Sequence, residues 1–251
     1  MKYALQEKNF GLGNFIMLTP ALQLLPDKVN VYFHDKKIQS LYRDCPFFNI
    51  LKKRPKNKPF ISSRRPYSRK KKESDTLAYC RILFGDAKSV PNTYIDKCQD
   101  YKLDKKNIKH VAIFHGCLGT IYRKKKDIGL ETRQYIIDSI IKKGYVPVIL
   151  GLDKDAENYW NKNNLDGCVN LIGMLSLRES VSVLDQCDFF MSNDTGLYHA
   201  AGALEKPGLV MWYKTNMIKN MCVFNGIEHT QTDDRLSPVY ERAVDRFLEK
   251  Q

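Results

Sequence analysis

What the chain lacks narrows it first. None of its apolar stretches approaches the roughly 18 residues that a membrane-crossing helix needs, so no span is expected. The seven cysteines (Cys45, Cys80, Cys98, Cys117, Cys168, Cys187 and Cys222) include no Cys-x-x-Cys pair. So odd and scattered a set reads as reduced, buried thiols and argues against a disulfide framework or a zinc site; no metal is expected. There is no G-x-x-x-x-G-K-[ST], which disfavours a P-loop ATPase, and no repeat of solenoid length. The opening MKYALQEKNFGLGNF has neither a long apolar core nor a small-residue cleavage site. A cytoplasmic chain without a secretory leader is therefore expected.

Acidic residues are scarce in one half only. Residues 1–104 hold 21 Lys+Arg against 10 Asp+Glu, a net of +11, whereas residues 105–251 hold 20 against 18, a net of +2. Most of the excess lies in KKRPKNKPFISSRRPYSRKKKES, Lys52 to Ser74. Charge so concentrated points to a polyanionic partner, and Arg64, Arg65, Arg69 and Lys70 are its candidate contacts. A solvated, mobile segment is the alternative, which Pro55, Pro59, Pro66 and the neighbouring serines suit equally well.

The 43% hydrophobic content supports a real core, and the length allows one large domain or two small ones. In the second half, strand-like runs alternate with helical ones. HVAIFHG, PVILG, CVNLIG, DFFMS and GLVMW read as buried strands, LETRQYIIDSIIKKG as an amphipathic helix and KDAENYWNK as another helix. SLRESVSVLDQC opens with Ser176 and has Glu179 three residues on, a capping box. The first half begins alike: strand YALQE, glycine turn NFGLGNF, a helix over MLTPALQLL with Thr19 as N-cap and Pro20 at its first position, then strand VNVYFH. TLAYCRILFG reads as a further helix. The polar tract around residues 86–107 reads as the crossing between lobes, which sets an expected division at 1–104 and 105–251. Apolar strands alternating with helices predict an α/β fold with parallel sheets covered on both faces.

In such sheets ligands bind beyond the carboxyl ends of the strands, where helices begin. DFFMS runs into Asn193-Asp194-Thr195-Gly196. Asp194 suits the N-cap, Gly196 leaves backbone uncovered, and His199 lies one turn beyond Thr195. Such a helix mouth offers unpaired N–H groups and partial positive charge to a phosphate. An ordinary capped turn is the competing reading. Gly116, after HVAIFH, opens a loop leading to Lys124, Lys125 and Lys126, which could supply cations to a diphosphate or simply be solvated. Gly11 and Gly13 form a second glycine turn, with Ile16 where a dinucleotide fingerprint would place its third glycine.

FGLGNFIMLTPALQLL and, above all, NLIGMLSLRESVSVLDQCDFFMSNDTGLYHAAGALEKPGLVMW resemble glycosyltransferase family 9, the bacterial ADP-heptose:lipopolysaccharide heptosyltransferases and their relatives. The second block, Asn170 to Trp212, is the specific one; the first matches over Gly11 to Leu25, and the rest of the first half does not match. The resemblance implies a GT-B architecture, two Rossmann-like lobes facing across a cleft. It implies a nucleotide-diphosphate sugar as co-substrate at Gly116, Lys124–Lys126, Asp194, Thr195, Gly196 and His199, no cofactor, and an acceptor on the first lobe near Gly11 and Gly13. The family's usual aspartate after the first motif is Asn14 here, and an amide cannot accept a proton. His34 and Asp35, at the end of the second strand, become the candidate bases. A retaining mechanism and lost catalysis stay open beside them.

The basic first lobe then suggests either of two acceptors. One is phosphorylated lipopolysaccharide core, with peripheral contact at the anionic inner membrane face. The other is DNA carrying hydroxylated bases, tracked by a basic arm with Phe60 and Tyr67 interleaved. A non-catalytic nucleic-acid or nucleotide-sugar binding protein that keeps the fold is the alternative of another class.

Overall fold

The computed structural model describes residues 3–6, 11–54, 61–62, 74–84, 90–105, 107–116, 125–155, 160–221, 224–233 and 238–251. Two parallel sheets organise it. The first contains β1 (Tyr3–Gln6), β2 (Val29–Phe33), β3 (Phe48–Ile50) and β4 (Ile61–Ser62) in the order β3-β2-β1-β4. The second contains β5 (His110–Phe114), β6 (Val146–Ile149), β7 (Val169–Asn170), β8 (Phe189–Asn193), β9 (Gly208–Trp212) and β10 (Ile227–Gln231) in the order β10-β9-β8-β5-β6-β7. Strands β5, β8 and β9 are buried along their whole length. Their unbroken apolar sequences follow from helices lying on both faces of the sheet. In β2, by contrast, Val29, Val31 and Phe33 are buried while Asn30 and Tyr32 are half-buried, the period of a strand with one core face.

Around the first sheet lie α1 (Leu12–Gln23), the single turn α2 (Lys36–Gln39) and α3 (Asp75–Phe84). The second carries α4 (Leu130–Lys142), the short α5 (Asp153–Asp155), α6 (Leu177–Gln186), α7 (Gly196–Ala203), α8 (Met217–Asn220) and α9 (Pro238–Glu249). Ser176 caps α6 and Glu179 returns to the Ser176 N–H at 2.7 Å, completing the expected capping box. Phe15, Phe33, Tyr42 and Phe48 pack with ring centroids 4.7 to 6.1 Å apart in the first lobe. That cluster continues without a break into Phe114, Phe190, Val210 and Trp212 of the second sheet, so both lobes share one apolar interior. A separate core fills the far side of the second sheet, between Val111, Ile113 and Phe189 and the inward faces of α4 and α9.

Two sequence readings change. The first helix does not begin at Thr19; it runs from Leu12, with Pro20 inside it. Pro20 has no N–H for the carbonyl of Ile16, one turn back. The Thr19 hydroxyl donates to that carbonyl at 2.7 Å and accepts from the Tyr94 N–H at 2.7 Å, so the defect is repaired locally and ties α1 to the crossing segment. Of KDAENYWNK, Lys154 and Asp155 are helical, and residues 156–159 lie outside the described residues. Strands β3, β4 and β10 and helix α9 were not expected.

Residues 90–105 cross between the sheets and are hydrogen-bonded to both sides. Asp96 accepts from the Asp44 N–H at 2.8 Å, and Asn92 donates to Glu205 at 2.6 Å. Ser182 and Gln186 of α6 donate to the Tyr101 carbonyl at 2.8 and 2.7 Å. Arg178 of α6 donates to Asp100 at 3.0 and 3.1 Å and also reaches the Ser40 carbonyl beside α2.

Candidate active site

The helices that follow the two glycine turns come together at their first turns. Helix α1 starts at Gly11, whose backbone is extended and which supplies no side-chain cap. Helix α7 starts at Thr195, which is its N-cap and accepts from the Tyr198 N–H at 3.4 Å. Asp194 is therefore not the cap, contrary to the sequence reading. A Cβ on Gly196 would lie 3.3 Å from Leu12 Cβ and 3.8 Å from the Gly13 nitrogen. A Cβ on Gly13 would lie 2.4 Å from His199 Cδ2 and 2.9 Å from its Nε2. The first lobe thus touches the second through a glycine, because the buried imidazole of His199 fills the space a larger residue would take. Two positive helix poles, one from each lobe, converge at this seam.

Asp194 has another task. Its carboxylate is 4% exposed and lies 3.1 Å from Lys126 Nζ. The same ammonium donates to the Asp194 carbonyl at 2.8 Å, and the Asn220 amide donates to the carboxylate at 3.2 Å. Removing either charge would strand the other in a poorly solvated place, at a cost of about 3–5 kcal/mol. The pair holds a cation at the residue just before the N-cap of α7, a helix whose first-turn Gly196 and Leu197 amides have no partner within it.

Asn193 joins the loops. Its side-chain oxygen accepts from the Gly116 N–H at 3.4 Å, and its amide donates to the Lys126 carbonyl at 2.8 Å. Sequence reasoning passed over it, although an amide ending an otherwise apolar buried strand was the available signal. Gly116 faces Asp155: a Cβ there would lie 2.4 Å from the carboxylate. Burial raises the Asp155 pKa above the usual carboxylate range. His115 is fully buried and stacks on Trp160 at 5.7 Å between centroids, and that burial holds its pKa well below the usual imidazole value.

The structure therefore brings Gly11, Gly13, Gly116, Lys126, Asp194, Thr195, Gly196 and His199 to the seam and the adjacent carboxyl edge of the second sheet. Asn14 is half-buried in the first turn of α1, and Lys125 is exposed next to Lys126. His34 follows β2, its ring edge-on to Tyr32 at 5.3 Å, and Asp35 caps α2 by accepting from the Lys37 N–H at 2.8 Å. Lys124, Arg64, Arg65, Arg69 and Lys70 lie outside the described residues, as does most of the basic stretch. Among the described residues, no three His, Cys, Asp or Glu side chains group closely enough to hold a metal ion, and no helix is long and apolar enough to cross a membrane.

Two α/β lobes with parallel sheets, joined by a crossing segment, define the GT-B-like class. Over residues 86–234 the sequence matches the profile of glycosyltransferase family 9 (heptosyltransferase), and the chain belongs to that family. It is 33% identical over 78 residues to lipooligosaccharide heptosyltransferase 2 of Haemophilus ducreyi, a match covering 29% of this chain and 22% of that protein. The chain thus spans about a fifth to a quarter of the length of the curated relatives it matches. Its fold is similar to that of a family 9 glycosyltransferase from Veillonella parvula, with a TM-score of 0.75, 14% identity, and coverage of 100% of this chain and 98% of that one. It is also similar to E. coli ADP-heptose LPS heptosyltransferase II, with a TM-score of 0.74, 14% identity, and coverage of 100% and 99%.

Proposed function

We propose that the chain is a metal-independent glycosyltransferase that moves a sugar from a nucleotide-diphosphate sugar to a hydroxyl of a phosphorylated glycan. One observation carries the reading: the poles of α1 and α7 meet beside a half-buried Lys126 that is ion-paired with the buried Asp194. A departing diphosphate gains negative charge as the glycosidic carbon–oxygen bond breaks. Fixed amides and an ammonium in a partly desolvated site stabilise that charge without reorganising. In this reading the donor diphosphate takes the Gly196 and Leu197 amides and shares Lys126 with Asp194, while the Lys125–Gly116 side closes around it.

The acceptor approaches over α1. Asn14 orients its hydroxyl, since an amide donates and accepts hydrogen bonds but takes no proton. His34 serves as the base, because an oxygen of Asp35 is already committed to capping α2. A first lobe with a net charge of +11 attracts a phosphorylated acceptor. The named relatives act on lipopolysaccharide and lipooligosaccharide, which favours that glycan class over DNA, with catalysis on the cytoplasmic side and peripheral contact with anionic lipid.

The test is transfer itself. The chain is incubated with ADP-, UDP-, GDP-, CDP- and dTDP-sugars, with intact or dephosphorylated lipopolysaccharide core or hydroxymethylated DNA as acceptor, and released nucleoside diphosphate is measured. Transfer to intact core that falls at least about tenfold on dephosphorylation is expected, because screened phosphate contacts dominate such recognition. Transfer to DNA instead would replace the acceptor. No hydrolysis or transfer with any donor would refute the enzymatic reading.

A further inference from the structure

Arg133 has no part in the chemistry proposed above, yet it is only 5% exposed. An apolar side chain in its place would avoid the desolvation that a buried guanidinium suffers. Its surroundings show what the charge does. Nη1 donates to Asp127 Oδ1 at 2.6 Å, and Nε donates to Asn163 Oδ1 at 3.3 Å. The guanidinium carbon lies 5.9 Å from the centre of the Trp160 ring, the ring that also stacks on His115. Asp127 Oδ1 accepts a second bond, from the Gly129 N–H at 3.1 Å, where the chain reverses through a glycine with φ 94° before entering α4.

Lys126 sits immediately before this clasp. Its carbonyl is held by the Asn193 amide at 2.8 Å, and the preceding carbonyl, that of Lys125, accepts from the Lys214 N–H at 2.9 Å. The backbone is thus fixed on both sides of Lys126, whose ammonium, alone among the described lysines, pairs with Asp194. Lysine has a flexible four-carbon stem, so its charge is placed accurately only where its backbone is fixed and its head is paired.

We infer that Arg133 is a positioning residue for Lys126: through Asp127 it fixes the turn at 125–129 so that the Lys126 ammonium stays against the mouth of α7. The consequence for donor binding rests on the function proposed above; the positioning itself does not. Loss of the clasp frees the ammonium without removing it, which separates this role from that of Lys126.

Two measurements on the full chain test it. The first is the rate of reductive methylation of Lys126, read by peptide mass spectrometry, with the exposed Lys125 as internal reference. In the unmodified chain Lys126 is expected to react much more slowly than Lys125. Asp127→Ala and Arg133→Gln are each expected to raise the Lys126 rate about 5- to 30-fold, the middle of the range of coupling between contacting residues. Arg133→Lys is expected to restore part of the protection. Should Arg133→Gln fail to fold, the partly exposed Asp127 carries the test. The second is calorimetric binding of ADP, UDP, GDP, CDP and dTDP. For the tightest of these, Asp127→Ala is expected to weaken binding about tenfold in the wild-type background and not at all in Lys126→Ala. An unchanged Lys126 methylation rate in both clasp variants overturns the positioning role. A raised rate, with all five diphosphates binding Lys126→Ala as they bind wild type, upholds the positioning and overturns the donor site.

Discussion

Replacing Gly13 by alanine sets two physical effects of opposite sign against each other. Position 13 is the second residue of α1, and within a helix alanine is favoured over glycine by up to about 1 kcal/mol. Were the lobes only loosely apposed, Gly13→Ala would therefore stabilise the chain. The added methyl carbon, however, would stand 2.4 Å from His199 Cδ2, about 1 Å inside ordinary contact. His199 is 4% exposed and its ring lies 4.6 Å from that of Tyr198, which is itself fully buried, so the imidazole has little room to withdraw. Overpacking of this kind costs about 1–3 kcal/mol, and the seam between α1 and α7 must widen to relieve it.

The expected outcome of Gly13→Ala is a net loss of up to about 2 kcal/mol in urea unfolding, accompanied by weakened nucleoside diphosphate binding. Gly11→Ala is the control: nothing lies within 4 Å of a Cβ there, so no clash arises, and the change should cost only the roughly 0.5–1 kcal/mol by which an N-cap prefers glycine to alanine, with nucleoside diphosphate binding unchanged. His199→Ala should make Gly13→Ala neutral or stabilising, because the obstacle is gone. A stabilised Gly13→Ala in the wild-type background would refute the close seam.

His229 accepts from the Trp212 indole N–H at 3.0 Å, and burial lowers its pKa to about 4. A histidine whose folded pKa lies below its unfolded value stabilises the fold fully above pH 6.5 and loses that contribution as pH falls toward 4, here about 3 kcal/mol in all. His229→Asn, which keeps an acceptor for the indole, should flatten that part of the pH–stability curve; an equally steep loss in the variant would contradict the assignment. Arg178→Lys should lower stability by about 1–2 kcal/mol, since an ammonium cannot hold Asp100 and the Ser40 carbonyl together; an unchanged urea midpoint would show that the lobes do not depend on this link. Thr195→Ala should cost about 1 kcal/mol and Thr195→Ser little, whereas a neutral Thr195→Ala would mean that another group caps α7.

Features written in neighbouring residues were legible in the sequence. The capping box of α6 needs only Ser176 and Glu179, and the apolar runs of β5, β8 and β9 announce strands buried on both faces. The helix mouth after DFFMS was equally visible. Features set by distant partners were not. Asp194 and Thr195 both suit an N-cap by type, and the choice is made by Lys126, 68 residues away, which claims the carboxylate. Thr19 and Pro20 have the local pattern of a helix start, but Tyr94, 75 residues on, lets the helix run through them. Strand β4 is two residues long, and β10, IEHTQ, mixes charge and polarity at a sheet edge, so neither carries a periodic signal. The Arg133–Asp127 clasp joins residues six apart around a glycine with positive φ, a separation that no simple helical or strand period marks.

Determining the structure of the chain with an intact nucleotide-diphosphate sugar bound tests most directly whether the seam is a donor site. The expected result places a phosphate oxygen within about 3.2 Å of the Gly196 or Leu197 nitrogen and another within the same distance of Lys126 Nζ. Phosphates bound elsewhere, with the Lys126–Asp194 pair undisturbed and the mouth of α7 unoccupied, would contradict it.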